Sequence, residues 1–146
     1  MSKAKRIFVV VDFQEKDPAS LRPSRRHWLK GLTRLGHDVQ RFSYTDIMKQ
    51  CALWPNKRWG KKYSKAKVDN ILIEFVKKFQ PDILFFLLIK DFSEETLVKL
   101  KEVSGNAIYV GHDSDHTPKA LPYHMVVARH LYIMISTGGG TVPQSI

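Results

Sequence analysis

Cys51 is the only cysteine in the 146 residues, so no internal disulfide can form and nothing in the composition points to an oxidising compartment. Glycine is absent until Gly31. After the first apolar run the chain reads Asp12-Phe13-Gln14-Glu15, where a dinucleotide site would need G-x-G-x-x-G to bring a pyrophosphate onto a helix N-terminus. That fingerprint is excluded. Gly138-Gly139-Gly140 is no phosphate loop either: no Lys-Ser/Thr follows it, and the six residues from 141 are too few for the helix such a loop opens. No apolar run reaches the roughly 20 residues that span a bilayer. The basic start MSKAKR precedes an apolar run of only Ile7 to Val11, broken by Asp12, with no small-residue cleavage site behind it. A cytoplasmic protein is the expectation.

Acidic residues number only 14, and the basic residues that outnumber them are concentrated in the first half. Residues 1–78 hold 19 Lys/Arg against 7 Asp/Glu, whereas 79–146 hold 5 against 7. A field of this kind favours anionic partners, and equally serves as a solvated surface.

What the chain does contain is an alternation of strand and helix signals. RIFVVVDF (6–13) is a continuous β-branched run, as in a strand buried on both faces. Trp28, Leu29, Leu32 and Leu35 then recur at helical spacing, with Pro23 suited to the first turn and Gly36 to the end. The opposite side of that helix carries Arg25, Arg26, Lys30 and Arg34. A second strand is expected around Asp38 to Tyr44, followed by a short helix capped by Thr45 and stopped by Pro55. Next comes KRWGKKYSKAK (57–67), six of its eleven residues basic, and then a helix whose apolar stripe is Val68, Ile71, Leu72, Phe75, Val76 and Phe79. Pro81 ends it before the apolar run Ile83 to Ile89. Ser93 caps a further helix with Glu94 and Glu95 in its first turn, and Gly105 stops it. Strands are expected at Ala107 to Gly111 and Met125 to Ala128. This order predicts an α/β fold: a Rossmann-like three-layer αβα sandwich over 1–130 with a mostly parallel sheet of about five strands, and an irregular tail over 131–146.

In open α/β sheets ligands bind at the carboxyl ends of the strands. His112-Asp113-Ser114-Asp115-His116 follows the fourth strand there. Its carboxylates and imidazoles suit a divalent cation, contact with a polar ligand, or simple capping of a loop. No further ligand set with metal-type spacing accompanies it, and no metal is expected. A phospho-receiver site fits poorly, because no second acid adjoins Asp12 and the fourth strand ends in His112-Asp113 rather than a hydroxyl residue. His27 reads as a packing or surface residue, and Cys51 as an inert buried thiol. Lys57, Arg58, Lys61, Lys62 and Lys65, with Trp59 and Tyr63 between them, resemble an anion-binding patch in which cations meet phosphate and aromatics stack. The alternative is a solvated helix start. No nucleic-acid-binding signature accompanies the patch, so specific nucleic-acid binding is not expected.

Several of these motifs, in this order, resemble the N-terminal half of spore-maturation-type glycosyltransferases, which are GT-B enzymes. They are the strand RIFVVVDF, the run Leu35-Gly36-His37-Asp38-Val39, Pro81-Asp82 before an apolar strand, and Ser93-Glu94-Glu95-Thr96-Leu97. Tyr109 to Asp115, followed by Leu121-Pro122-Tyr123-His124-Met125-Val126-Val127, extends the likeness, which covers about residues 5–128. His124 stands where the family tends to have Asp, and after Ala128 the family pattern gives way to RHLYIMISTGGGTVPQSI. The resemblance implies the acceptor-side half of an enzyme that transfers a sugar from a nucleotide-sugar donor. It implies no cofactor in this chain, since the family holds its donor in a C-terminal domain that has no counterpart in these residues. That domain, or a partner chain supplying it, is the implied partner, and the chain alone is expected to be inactive, as from a truncated or frameshifted reading frame. Strand-end placement nominates Asp12, Phe13, Lys90, Asp113 and Asp115 as acceptor-binding residues, with no catalytic base assigned. The reading of a different class is a non-catalytic basic α/β module that holds an anionic polymer or a membrane surface.

Overall fold

The fold is that of a computed structural model, whose described residues are 3–12, 23–51, 57–87, 92–113 and 130–136; at 23, 24, 57–62, 113, 134 and 136 the description is of the backbone. The β-branched run forms β1 (Arg6–Val11), and all its residues after Arg6 are buried. It lies inside a parallel sheet, between β2 (Asp38–Ser43) and β3 (Ile83–Phe86). Beyond β3 come β4 (Ile108–Asp113) and β5 (Ile133–Ser136), giving the order β2-β1-β3-β4-β5.

Strand alternation sends the two sets of β1 side chains to opposite layers. Ile7, Val9 and Val11 pack with Phe85, Leu87 and, from α1 (Pro23–Arg34), Leu29 and Leu32. Phe8 and Val10 pack on the other face with Leu84, Phe86 and Tyr109. That face is covered by α2 (Tyr44–Cys51), by α3 (Lys57–Phe79) through Val68, Leu72 and Val76, and by α4 (Glu94–Ser104) through Leu97 and Leu100. The fold is therefore α/β and Rossmann-like, in three layers, as the sequence predicts. From β1 the chain steps one way to β2 with its helix on one face, then back to β3 and β4 with helices on the other, as right-handed crossovers require.

Local chemistry explains the boundaries. Gly36, at φ 84°, supplies the left-handed residue just past α1. Ser93 caps α4, its Oγ accepting from the Thr96 backbone N–H at 3.2 Å. α2 begins at Tyr44, so Thr45 falls inside its first turn rather than at the cap, and the hydroxyl of Ser43, just ahead of the helix, donates to the Asp46 carboxylate. Gln80 ends α3 at φ 50°, unusual for a residue with a Cβ. Its side-chain amide offsets the strain by donating to the carbonyls of Lys77 and Val103 at 2.7 and 2.8 Å. The Pro81-Asp82 pair clamps the amino edge of the sheet: the Arg6 N–H donates to the Asp82 carboxylate at 2.8 Å, and the Asp82 N–H returns a bond to the Arg6 carbonyl at 2.8 Å.

Three expectations need correction. The basic segment from Lys57 is not a separate stretch ahead of a helix; it is the first half of α3, one helix of 23 residues. Ile133–Ser136 belongs to the sheet rather than to an irregular tail, while the strand expected at 125–128 lies outside the described residues. Just before β5 the Leu131 side chain packs closely on Gly111 of β4, where a Cβ would stand 2.4 Å from Cδ1 of Leu131. On α1, Leu35 falls just past the helix end and is 71% exposed, so the expected stripe reaches the core through Leu29, Leu32 and the edge of Trp28 against Phe85, without Leu35.

Candidate functional site

The chain leaves β1 in one direction for β2 and in the other for β3, so the crevice of this doubly wound sheet opens at the carboxyl ends of β1 and β3. Asp12 stands there, directly after β1, and is buried. Its backbone carbonyl accepts from Nη1 of Arg25, which reaches down from the first turn of α1. Arg25 is itself buried, not on the solvent side of α1 where helical spacing put it. Spacing could not reveal this, because the partner is a carbonyl thirteen residues away.

Val10 is level with Phe86, and Phe86 with Gly111. Asp12 and Asp113 each follow two residues later, so they stand at one level, about 10 Å apart across the intervening strand. Phe13, Lys90 and Asp115 lie outside the described residues, as do Ser114 and His116. Among the described residues no group of three or more His, Cys, Asp or Glu is arranged to hold a metal ion. His112, on the α1 side of β4, lies against Trp28 with ring centroids 5.7 Å apart. Cys51 is half-buried and packs against the core; His27 is exposed.

A second polar group at this edge is one that the sequence reading did not single out. Asp69 is a buried carboxylate in α3. It accepts from the Tyr44 hydroxyl at 2.6 Å and from the Thr96 hydroxyl at 3.2 Å. The Thr96 hydroxyl also meets Ser93 Oγ at 2.8 Å. One carboxylate thus ties the start of α2 and the N-cap of α4 to α3, just above the ends of β2 and β3. The Tyr44 ring stacks edge-on against Phe92, and Phe92 against Phe86, so the polar brace sits on an aromatic floor. A lone acid inside an apolar helical stripe was the available signal, since Asp69 lies beside Val68 and three residues before Leu72.

The basic patch reaches this same edge. Phe79 of α3 packs on Phe8, and Arg6, the first residue of β1, lies over its ring. Phe75 meets Phe42 near the far end of β2, and Asp69 meets Tyr44, which is already beyond it. α3 thus runs antiparallel to the strands and passes the carboxyl edge at about Asp69. The twelve residues from there back to Lys57 carry it about 18 Å farther. Ser64 is buried beside the last turn of α2, Lys65 is half-buried, and Tyr63 is 60% exposed.

Among titrating groups, burial pushes the Tyr109 hydroxyl up to about 12, with the hydrogen bond it shares with the Ser104 hydroxyl at 2.8 Å acting in the opposite sense. On the surface of α4, the hydrogen bond and charge of Lys99 hold Glu95 below the usual carboxylate range, and Lys99 is raised in return. Neither pair belongs to the crevice. No helix among the described residues is long and apolar enough to cross a membrane.

No protein-family model matches the chain, and no curated protein matches it in sequence.

Proposed function

We infer that this chain is the acceptor-side domain of a GT-B glycosyltransferase, acting with a donor-binding domain that further sequence or a partner chain supplies. The observation that carries the reading is the crevice of a parallel, doubly wound sheet: Asp12 and Asp113 stand level at its carboxyl edge. The motif order from RIFVVVDF to the Ser93 cap accompanies it. In this reading Asp12, Phe13, Lys90, Asp113 and Asp115 contact the acceptor. The nucleotide-sugar donor binds the other domain, and this chain needs no cofactor of its own. A preorganised acceptor pocket would hold the attacking hydroxyl against a donor brought by domain closure, and its rate contribution would be chiefly orientation.

Reading the nucleotide sequence directly downstream tests the parentage: a donor domain encoded there, in this or another frame, supports it, and unrelated sequence counts against it. In an enzyme completed with that domain, Asp113→Ala and Asp115→Ala should each lower kcat/KM for acceptor at least tenfold while the far-ultraviolet circular dichroism stays unchanged. Unaltered acceptor kinetics would overturn the assignment of the rim.

The uneven charge favours a second reading, a non-catalytic module that holds an anionic polymer or membrane surface. It requires binding with steep salt dependence and no sugar transfer in any assembled form.

A further inference from the structure

The two halves of α3 use one face for opposite chemistry. At 100° per residue, Val68, Leu72 and Val76, all fully buried, define the stripe turned to the core. Positions 58, 61 and 65 fall within the same arc, 57 and 62 border it about 20° and about 40° to either side, and every one is Lys or Arg. The change from apolar to basic comes where α3 passes the carboxyl edge of the sheet, just beyond Asp69. Inside that edge the stripe has a sheet to cover. Outside it, the helix runs on past the edge at which the β1/β3 crevice opens, with Ser64 buried against the last turn of α2 and the basic positions on either side of that contact. Trp59 and Tyr63, at i and i+4, lie on the opposite side of the helix, so they do not share a surface with the basic stripe. A combined stacking and cation patch of the kind used on single-stranded nucleic acid is therefore not formed on one helix face.

We propose that the overhanging half of α3 is a binding site for a linear phosphate-bearing polymer, which it guides to the crevice as the acceptor. This rests on the acceptor-side reading and gives that acceptor a chemical class. Lys57, Lys61 and Lys65 succeed one another every four residues, about 6 Å apart along the axis, so the charges extend over about 12 Å. Such a row matches several phosphates in series better than one phosphate. Lysines act on phosphate as compact point charges, which suits a repeating backbone with no fixed planar geometry. A bilayer fits less well, since an interfacial helix inserts a broad apolar side opposite its cations, and here that side offers two aromatics and Lys67.

The test uses the chain as it stands, titrated with inorganic polyphosphate of about fifteen units in 50 mM salt. The controls are pyrophosphate, neutral dextran, and vesicles with about one-third phosphatidylserine. Lys61→Glu/Lys62→Glu is compared with Lys77→Glu/Lys78→Glu, a pair with the same charge change at the other end of the same helix, where both lysines are exposed. Polyphosphate should bind at least tenfold more tightly than pyrophosphate, and dextran not at all. The 61/62 pair should lose at least tenfold in affinity and flatten the salt dependence, while the 77/78 pair stays within about threefold. Equal losses from the two pairs would reduce the effect to net charge and overturn the proposal. So would vesicle binding as tight as polymer binding with the same variant pattern, or no polymer binding below 1 mM. Binding here needs no transfer step, so the two readings fail separately. Binding without sugar transfer in the completed enzyme would remove the enzyme reading alone, and transfer to a neutral acceptor without polymer binding would remove this one alone.

Discussion

Replacing Asp69 with alanine should be among the most damaging single changes in the α3 layer, because its carboxylate is the acceptor for two buried hydroxyls. Tyr44 is 2% exposed and Thr96 7%, so neither hydroxyl can turn to bulk water when its acceptor is removed. The Tyr44 bond, at 2.6 Å, is short and charge-assisted, a type that contributes about 1.5–3 kcal/mol; the 3.2 Å bond from Thr96 is worth about 1 kcal/mol and is partly replaced by Ser93. Removing the buried carboxylate also removes its desolvation cost, which offsets part of the loss. The expected net destabilisation is about 2–4 kcal/mol, read from urea unfolding as a lower midpoint at unchanged slope. Asp69→Asn keeps one oxygen for Tyr44 and should cost less, about 1–2 kcal/mol. Tyr44→Phe alone should cost about 1–2 kcal/mol, and the double variant Asp69→Ala/Tyr44→Phe should fall short of the sum by about 1 kcal/mol or more. A loss under about 1 kcal/mol for Asp69→Ala, or strict additivity with Tyr44→Phe, would refute the brace.

Gly111→Ala should destabilise by about 1–3 kcal/mol, because the new methyl would meet Leu131 Cδ1 at 2.4 Å; adding Leu131→Ala should remove that collision, and a double variant no better than the sum of its parts would discount it. Tyr109 gives a pH signature. Its folded-state value, about 12, lies above the ordinary 10, so its contribution to stability is whole below pH 10 and is lost as pH rises through about 12. The loss amounts to roughly 2–3 kcal/mol, measured as the difference between wild type and Tyr109→Phe in urea midpoints from pH 9 to 12, and parallel curves for the two would contradict it.

The sheet was legible because its signals are local. β1, with side chains on both faces buried, needs a continuous apolar run, and Gly36, Pro81, Ser93 and Gly105 mark ends that backbone chemistry dictates. Asp12 was legible as a rim position for the same reason, since it directly follows a strand. The misses share a different cause. Asp69 looks like an ordinary helical acid until Tyr44 and Thr96, 25 and 27 residues away, close on it. Arg25 reads as one of four basic residues on a solvated face until a carbonyl at the end of β1 accepts its guanidinium. The first half of α3 defeated the helical pattern because amphipathic periodicity reports what a helix packs against. Past the edge of the sheet no strand among the described residues underlies its inner stripe, and that stripe is no longer required to be apolar.

The same edge sorts the polar residues into two kinds. Tyr44, Asp69, Thr96 and Ser93 bear the residue types of a catalytic constellation, but the first three are buried and bonded to one another, and the group lies on Phe92 and Phe86. A general base must reach a substrate proton within about 3 Å. A carboxylate already accepting from two buried hydroxyls serves a different purpose: it fixes the axis of α3 relative to the starts of α2 and α4. That purpose matters for function all the same. The basic half of α3 is held at Asp69 and again at Ser64 by α2, whose start the brace also fixes, so a change of tilt at the brace is carried along about 18 Å of helix to Lys57. If the basic stripe guides a polymer to the crevice, loosening the brace should weaken polymer binding without removing a single positive charge. Asp69→Asn therefore separates the two effects: it leaves every lysine in place and removes one negative charge, so simple electrostatics predicts tighter polyphosphate binding. A loss of about threefold or more, at a temperature where the variant remains folded, would show that the brace aims the stripe. Tighter binding would show that charge alone governs it.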